Sequence, residues 1–165
     1  CHCIEKRRIR QHRLIRRSFA MVDEFIRLNV SDKKGSMSQI VLELNDESPD
    51  DSEKVRITAD GVAHDADNYF DAMLSVRAAL EKKSMQLICF GACMEIYPSE
   101  MQFSMGDCRT AYIQQMGKPA SKKDIVDIFD YDGRFTPCDI ADQMEYHRKW
   151  IESLPEEDEI MPEIL

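Results

Sequence analysis

Residues with the chemistry of a nucleophile, a base and an orienting acid lie between positions 99 and 147. Ser99 or Cys108 would act as the nucleophile and His147 as the base, and Asp127 or Asp130 would orient the imidazole. This combination predicts a small hydrolase or transferase. A structural role is favoured for each, because Ser99 lacks the Gly-x-Ser-x-Gly elbow and a lone cysteine is commonly a buried apolar residue. We therefore favour a protein that is not an enzyme.

A second group of side chains in the same region predicts a binding surface. Tyr97 and Met101 would be apolar anchors, and the acids of residues 46–53, with Glu95 and Glu100, would supply charges at the rim. Methionines near aromatic rings also fill gaps in cores, so packing is the alternative role for Met101. The predicted binding residues are Glu95, Tyr97, Ser99, Glu100, Met101, Arg109 and Tyr112.

The sequence predicts no metal site and no cofactor. Cys89 and Cys93 do not have CxxC spacing, and no histidine lies at zinc-finger spacing from them. The glycines at 91, 106 and 117 do not follow the spacing of a phosphate-binding loop. We expect the cysteines to be reduced and buried.

The charge of the chain changes sign at Met37. Residues 1–36 carry ten Lys and Arg against four Asp and Glu, a net of +6, whereas residues 37–165 carry twelve against 27, a net of −15. An acidic domain repels nucleic acid and anionic membranes and attracts a basic protein such as a toxin, although negative charge also serves solubility alone. No apolar run approaches the roughly 20 residues that span a bilayer, and arginines interrupt the leader where a secretory signal is apolar. We expect a cytoplasmic protein.

The basic leader predicts either a nucleic-acid-binding arm or sequence outside the native protein. Residues 33–36, Lys-Lys-Gly-Ser before Met37, resemble a translated ribosome-binding site or a cloning scar, and Met21 is a second possible start. We therefore expect residues 1–36 to be a non-native or disordered leader. Residues 37–154 would form one domain, and residues 155–165 an acidic tail.

Hydrophobic periodicity predicts the elements that position these residues. It indicates strands at 38–45, 54–59, 85–97, 109–115 and 125–129. Helical spacing predicts one helix that starts near Asp65 or Asp67 and ends at Lys83, and a second that starts at Thr136 and ends before Pro155. The predicted apolar stripe of the second helix is formed by Ile140, Met144, His147 and Ile151, with Trp150 and Leu154 alongside.

Helices separated by runs of strands favour an α+β fold. We predict a mainly antiparallel sheet of about five strands with two long helices packed on one face, in the order β-β-α-β-β-β-α. A doubly wound α/β fold is disfavoured because it needs more helices than the pattern provides.

The second half of the chain also carries a series of short motifs. They are Cys89-Phe90-Gly91-Ala92, Tyr97-Pro98-Ser99-Glu100-Met101, Met105-Gly106, Ala111-Tyr112, Gly117, Val126-Asp127-Ile128-Phe129-Asp130, Gln143 and Trp150. The series resembles that of a family of small, functionally uncharacterised bacterial proteins, with Glu100 where the family pattern has glycine. Those proteins are similar in size and charge to the immunity proteins of toxin systems. The family has no established activity to transfer, and the likeness to immunity proteins is an analogy; together with the acidic charge it favours a non-enzymatic module that covers a basic toxin surface.

Overall fold

The computed structural model of the protein describes residues 22–156, and predictions on residues 1–21 and 157–165 lie outside the described residues. The described part is an α+β fold with a five-stranded antiparallel sheet and a separate three-stranded sheet. The strands are β1 Glu24–Asp32, β2 Met37–Asn45, β3 Val55–Ala59, β4 Val62–Ala66, β5 Met85–Ile88, β6 Ile96–Tyr97, β7 Thr110–Ile113 and β8 Ile125–Asp127. The helices are α1 Tyr69–Glu81, α2 Glu100–Met105 and α3 Ile140–Ser153.

Strand β1 lies within the predicted leader. It pairs with β2 on one side and with β5 on the other, in the strand order β4-β3-β2-β1-β5. Every second residue faces the core, and Leu28 and Val30 are buried there. Residues 24–36 therefore belong to the folded domain, which corrects the expectation that the whole leader stands outside it.

The Lys-Lys-Gly-Ser segment is the turn that joins β1 to β2. Asp32 Oδ1 accepts hydrogen bonds from the backbone N–H groups of Lys34, at 2.8 Å, and Ser36, at 2.9 Å. Gly35 supplies the positive φ of +85° that closes such a turn without strain. The composition that resembled a scar thus has a structural role in a hairpin.

Helix α1 covers one face of the larger sheet. Its residues Tyr69, Phe70, Met73 and Val76 are buried against the inward side chains of the strands, and it packs on β3, β4 and β5. The helix starts after Asn68, whose side-chain Oδ1 accepts a hydrogen bond from Asp71 N at 2.8 Å. Asn68 is therefore the N-cap, and the predicted N-caps Asp65 and Asp67 are wrong. The intervening residues 62–66 form β4, which the sequence analysis missed.

The apolar segment 85–97 is two strands rather than one. The chain leaves the larger sheet after Ile88, forms a 3-10 turn at Phe90–Ala92 and enters the three-stranded sheet β6-β7-β8 at Ile96. Gly91 packs closely in this turn, because a Cβ there would lie 2.5 Å from Met73 Sδ and 3.0 Å from Ile128 Cβ. This turn moves the chain from the core sheet to the strands that form the candidate site.

Helix α3 starts four residues later than predicted. Pro137 forms an isolated bridge with Cys93, and the helix begins at Ile140, whose N–H donates to Glu81 Oε1 at 2.7 Å. Helix α3 packs against α1 and against β6 of the smaller sheet, where its His147 stacks on Tyr97. The predicted order and the placement of both helices on one sheet face are therefore not what the structure shows.

Candidate functional site

A cleft of about 560 Å³ lies between the smaller sheet and helices α2 and α3. Apolar and aromatic side chains form most of its lining, and we call it the aromatic cleft. Its size is within the range of pockets that bind small ligands or single side chains of a partner. The lining residues are Tyr97, Pro98, Ser99, Glu100, Met101, Phe103, Tyr112, Gln114, Ala120, His147, Trp150 and Ile151.

Strands β6 and β7 form the first wall of the aromatic cleft. Tyr97 and Tyr112 are direct partners in the antiparallel pair, so their side chains lie next to each other on the same face. Gln114 follows Tyr112 by two positions and points to that face as well. The alternate residues Ile96 and Ala111 are buried in the core. Successive residues of these two strands therefore point alternately into the core and into the cleft.

Helix α2 forms the second wall and the rim. Ser99 is its N-cap: the hydroxyl accepts from Gln102 N at 3.1 Å, and Gln102 Oε1 accepts from Ser99 N at 2.8 Å. This capping box fixes the start of the helix that carries Glu100 and Met101. Met101 is 70% exposed, a large value for an apolar side chain at the mouth of a cleft.

Helix α3 forms the third wall through a stripe that differs from the predicted one. Gln143, His147 and Trp150 face inward at positions i, i+4 and i+7, whereas Ile151 is 54% exposed. The imidazole of His147 stacks on the ring of Tyr97 with centroids 3.7 Å apart, and the Trp150 ring lies 6.0 Å from His147. The predicted stripe is therefore wrong at Ile151 and lacks Gln143, whereas Ile140, Met144 and His147 are half-buried and Trp150 is buried.

The surroundings of His147 favour its neutral form. Its Nδ1 lies 3.1 Å from Gln114 Oε1, an acceptor, so Nδ1 carries the proton and donates. Burial lowers the pKa of the imidazole below its ordinary value. Neutral His147 therefore contributes a flat aromatic surface to the aromatic cleft rather than a charge.

A buried polar cluster holds the walls of the aromatic cleft together. Gln143 Nε2 lies 3.0 Å from the carbonyl oxygens of Gly91 and Cys93 and 2.8 Å from that of Ile96, and Gln143 is fully buried. Arg77 donates to Gln143 Oε1 and, at 3.2 Å, to Gly91 O. Because Ile96 precedes Tyr97, this cluster ties α3 to the strand that carries the stacked ring. Gln143 belonged to the family-like motif series, but the apolar pattern gave no sign of its role.

The aromatic cleft brings together five of the seven predicted binding residues. These are Tyr97, Ser99, Glu100, Met101 and Tyr112, and the predicted base His147 lines the cleft with them. Glu95 and Arg109 do not line it. One buried oxygen of Glu95, Oε2, has no hydrogen-bond partner in the described structure.

Arg109 ties the two sheets together. Its guanidinium donates to both carboxylate oxygens of Glu24, at 2.6 and 3.0 Å, and to Asp127 at 3.2 Å. It also lies 5.0 Å over the ring of Phe129. The hydrogen bond to Glu24 raises the pKa of Arg109 further above its already high value. A residue predicted to bind a partner is thus held by side chains of its own fold.

The structure separates the residues of the predicted catalytic set. Ser99 and His147 line the same cleft, but no hydrogen bond between them occurs within residues 22–156. Cys108 is 2% exposed and lies outside the cleft lining, and burial raises the pKa of its thiol to about 12. Asp127 accepts hydrogen bonds from Arg109 and from Phe129 N rather than from the imidazole. The carbonyl of the other predicted orienting residue, Asp130, accepts from Phe90 N at 2.7 Å.

The four described cysteines are free thiols. Burial raises the pKa of Cys89 and Cys93 to about 12 and that of Cys138 to about 11, which keeps them protonated at neutral pH. Over the described part of the chain, no group of three or more His, Cys, Asp or Glu residues is placed to hold a metal ion. No helix in that part is long and apolar enough to cross a bilayer.

The acidic loop at 46–53 does not line the aromatic cleft. Asp46 accepts a hydrogen bond from the Tyr69 hydroxyl at 2.6 Å, and Asp50 pairs with Arg56 at 2.5 Å. Ser48 is buried and donates to Asp65 at 2.7 Å. These contacts hold the loop against β3, β4 and α1, so its acids act at a distance from the cleft.

No protein-family model matches the chain, and no curated protein matches its sequence.

Proposed function

We propose that the protein is a non-enzymatic protein-binding module of the immunity type, which covers a basic surface of a toxin in the cytoplasm. The observation that carries the proposal is the convergence of Tyr97, Ser99, Glu100, Met101 and Tyr112 on one cleft. Four of these residues lie on the short segment that joins β6 to α2, and Tyr112 lies on the neighbouring strand β7. The proposal makes the aromatic cleft and its rim the binding surface.

The apolar rim supports a protein partner. Met101 and Ile151 line the mouth and are largely exposed, and Met105 is exposed further along α2. Exposed methionines beside aromatic rings suit protein interfaces, because the flexible thioether adapts to a partner surface. Aromatic side chains fixed by packing lose little entropy on binding and commonly act as hot spots. Tyr97 meets this condition, since it is packed between His147 and Phe70.

The charge of the domain supports a basic partner. Residues 22–156, which include the folded domain, carry 15 Lys and Arg against 26 Asp and Glu, a net of −11, and Glu100 is the acidic residue in the lining of the cleft. Long-range attraction raises the rate of encounter with a cationic protein and falls as salt screens it. The resemblance to small bacterial proteins that are similar to immunity proteins points in the same direction. Free thiols in the described residues support the cytoplasmic part of the proposal.

The test uses the protein encoded beside this one in its genome. We expect an adjacent reading frame to encode a basic toxin domain, and co-expression with the present protein to relieve its toxicity. With both proteins purified, the association rate should fall about tenfold or more between 20 and 300 mM NaCl, because steering is electrostatic. Neighbouring genes without a basic domain, or a purified neighbour that does not bind, would refute the proposal.

Two matched variants locate the binding surface. Met101→Lys places a positive charge at the mouth of the aromatic cleft, where it repels a basic partner, and should weaken the complex at least tenfold, whereas Phe25→Lys makes the same charge change at an exposed apolar residue on the open face of β1. Equal effects of the two variants would remove the aromatic cleft from the proposal. Neither side chain is buried, so both variants should fold.

A hydrolase or transferase that uses Ser99 is the second candidate, because Ser99 and His147 share the cleft. Its test is covalent labelling by a fluorophosphonate followed by peptide mapping. A label on Ser99 that is lost in His147→Gln would support the enzyme. The binding proposal expects no label at Ser99, whose hydroxyl is engaged in the capping box.

A further inference from the structure

Four aromatic side chains besides His147 line the aromatic cleft: Tyr97, Phe103, Tyr112 and Trp150. Tyr97 and Phe103 pack on each other with centroids 5.9 Å apart. Tyr112 is half-buried and lines the cleft, and its ring makes no ring contact with another residue of the described chain. Rings present a partial negative charge on their faces and attract a cation placed over them.

The charges at the cleft have one sign. Glu100 is the acid among the lining residues, and no lysine or arginine is among them. Lys118, Lys122 and Lys123 belong to the loop that contributes Ala120, but their side chains are not part of the lining. The burial that lowers the pKa of His147 keeps the imidazole neutral. A cation that enters the cleft thus meets π faces and a carboxylate without a repelling charge in the wall.

We propose that the aromatic cleft binds an arginine side chain presented by a basic peptide segment of the partner. This inference rests on the proposed function and specifies the group that the site recognises. The aliphatic part of an arginine would contact the exposed apolar groups Met101 and Ile151 at the mouth. Its guanidinium would lie against the ring of Tyr112 and pair with the Glu100 carboxylate. A planar guanidinium both stacks on rings and binds a carboxylate through two N–H groups, which the compact ammonium of lysine does not do.

Trp150 makes the occupancy of the cleft measurable. It is the only tryptophan in the sequence and it lines the cleft, so the tryptophan fluorescence of the protein comes from a residue of the cleft. The probe is an N-acetylated, C-amidated tetra-arginine peptide, titrated at low salt. Matched peptides carry lysine or the neutral isostere citrulline in place of arginine. We expect a saturable change with arginine, an affinity about three- to tenfold lower with lysine, and at least tenfold lower with citrulline.

Paired variants separate recognition in the cleft from general attraction. Glu100→Gln and Glu53→Gln each remove one negative charge, but only Glu100 lines the cleft. We expect Glu100→Gln to lower the affinity for the arginine peptide about three- to tenfold and Glu53→Gln to change it less than twofold. Tyr112→Phe keeps the ring and should bind as the parent does, whereas Tyr112→Leu should lose about three- to tenfold. Unfolding temperatures of all four variants show whether each is folded.

Two results would overturn the inference. Equal affinity for the citrulline and arginine peptides would show that the cleft does not select a cation. Equal losses in Glu100→Gln and Glu53→Gln would show that only the net charge of the domain matters. Either result leaves the proposed function standing if Met101→Lys still weakens the complex with the basic partner. A complex that forms with the basic partner and is not weakened by Met101→Lys would instead refute the proposed surface.

Discussion

Replacing Gln143 by leucine tests whether the buried polar cluster holds α3 and β6 together. The substitution keeps much of the side-chain volume and removes every hydrogen bond that the amide makes. An amide group has two N–H donors, so its three carbonyl acceptors share about two full hydrogen bonds, each contributing about 1 kcal/mol. The bond from the Arg77 guanidinium contributes about 1.5–3 kcal/mol because its donor is charged. The sum predicts a loss of about 3–5 kcal/mol in the free energy of unfolding.

The assay is urea unfolding at pH 7.5, followed by circular dichroism, with thermal unfolding as a second readout. A loss of this size lowers the unfolding temperature by about 10 °C in a domain of this length. Gln115→Leu is the control, because Gln115 is an exposed glutamine on the loop after β7 and its replacement should cost less than about 0.5 kcal/mol. A loss below about 1 kcal/mol for Gln143→Leu would refute the assignment of this cluster as the support of the aromatic cleft.

Three further predictions concern stability. Gly91→Ala should lower the free energy of unfolding by about 1–3 kcal/mol in a urea titration, because the new Cβ would lie 3.0 Å from Ile128 Cβ; an unchanged midpoint would contradict the close packing. A chain that starts at Met37 lacks β1, which pairs with β2 on one side and β5 on the other, so it should show no cooperative thermal transition. A chain of residues 21–165 keeps β1 and should show one. Equal transitions in the two chains would contradict the assignment of β1 to the core sheet. Burial lowers the pKa of His147 in the folded state, so the unfolded chain takes up this proton at a higher pH than the folded chain does. The contribution of His147 to the free energy of unfolding is therefore complete above about pH 6.5 and decreases as the pH falls below that value. Urea titrations at pH 7.5 and 5.5 measure this loss of stability, which should be smaller in His147→Gln than in the parent protein. An equal loss in both proteins would show that His147 is not its source. Burial also lowers the pKa of His64, which accounts for part of the loss that is left in the variant.

Local periodicity was sufficient for several elements of the fold. Alternation of apolar and polar residues predicted β2 and β3, and helical spacing predicted α1 to within a few residues of its ends. The same signal was present in β1, where Ile26, Leu28 and Val30 alternate with polar residues. The arginines that precede it dominated the composition of residues 1–36, so this nine-residue strand was assigned to the leader. An average over a segment hides a strand that a residue-by-residue pattern shows.

The candidate site was predictable where its residues are close in sequence. Tyr97, Ser99, Glu100 and Met101 belong to one turn of chain, and the motif series drew attention to it. The α3 wall was not predictable from periodicity, because its most buried inward position is the polar Gln143. Its partners lie 47–66 residues away along the chain, and no local pattern encodes such a contact. The prediction of one strand over the apolar run at 85–97 was wrong for a related reason, since a buried strand and a buried turn have the same composition.

Hydrogen exchange with and without the basic partner domain tests the account most directly, because it maps the contact surface on the unmodified protein. The account predicts that binding slows exchange in residues 97–103 and 147–151, which line the aromatic cleft. Exchange on the open face of β1 and β2, at residues 25–41, should not change. Protection on that face with none at the cleft would contradict the account.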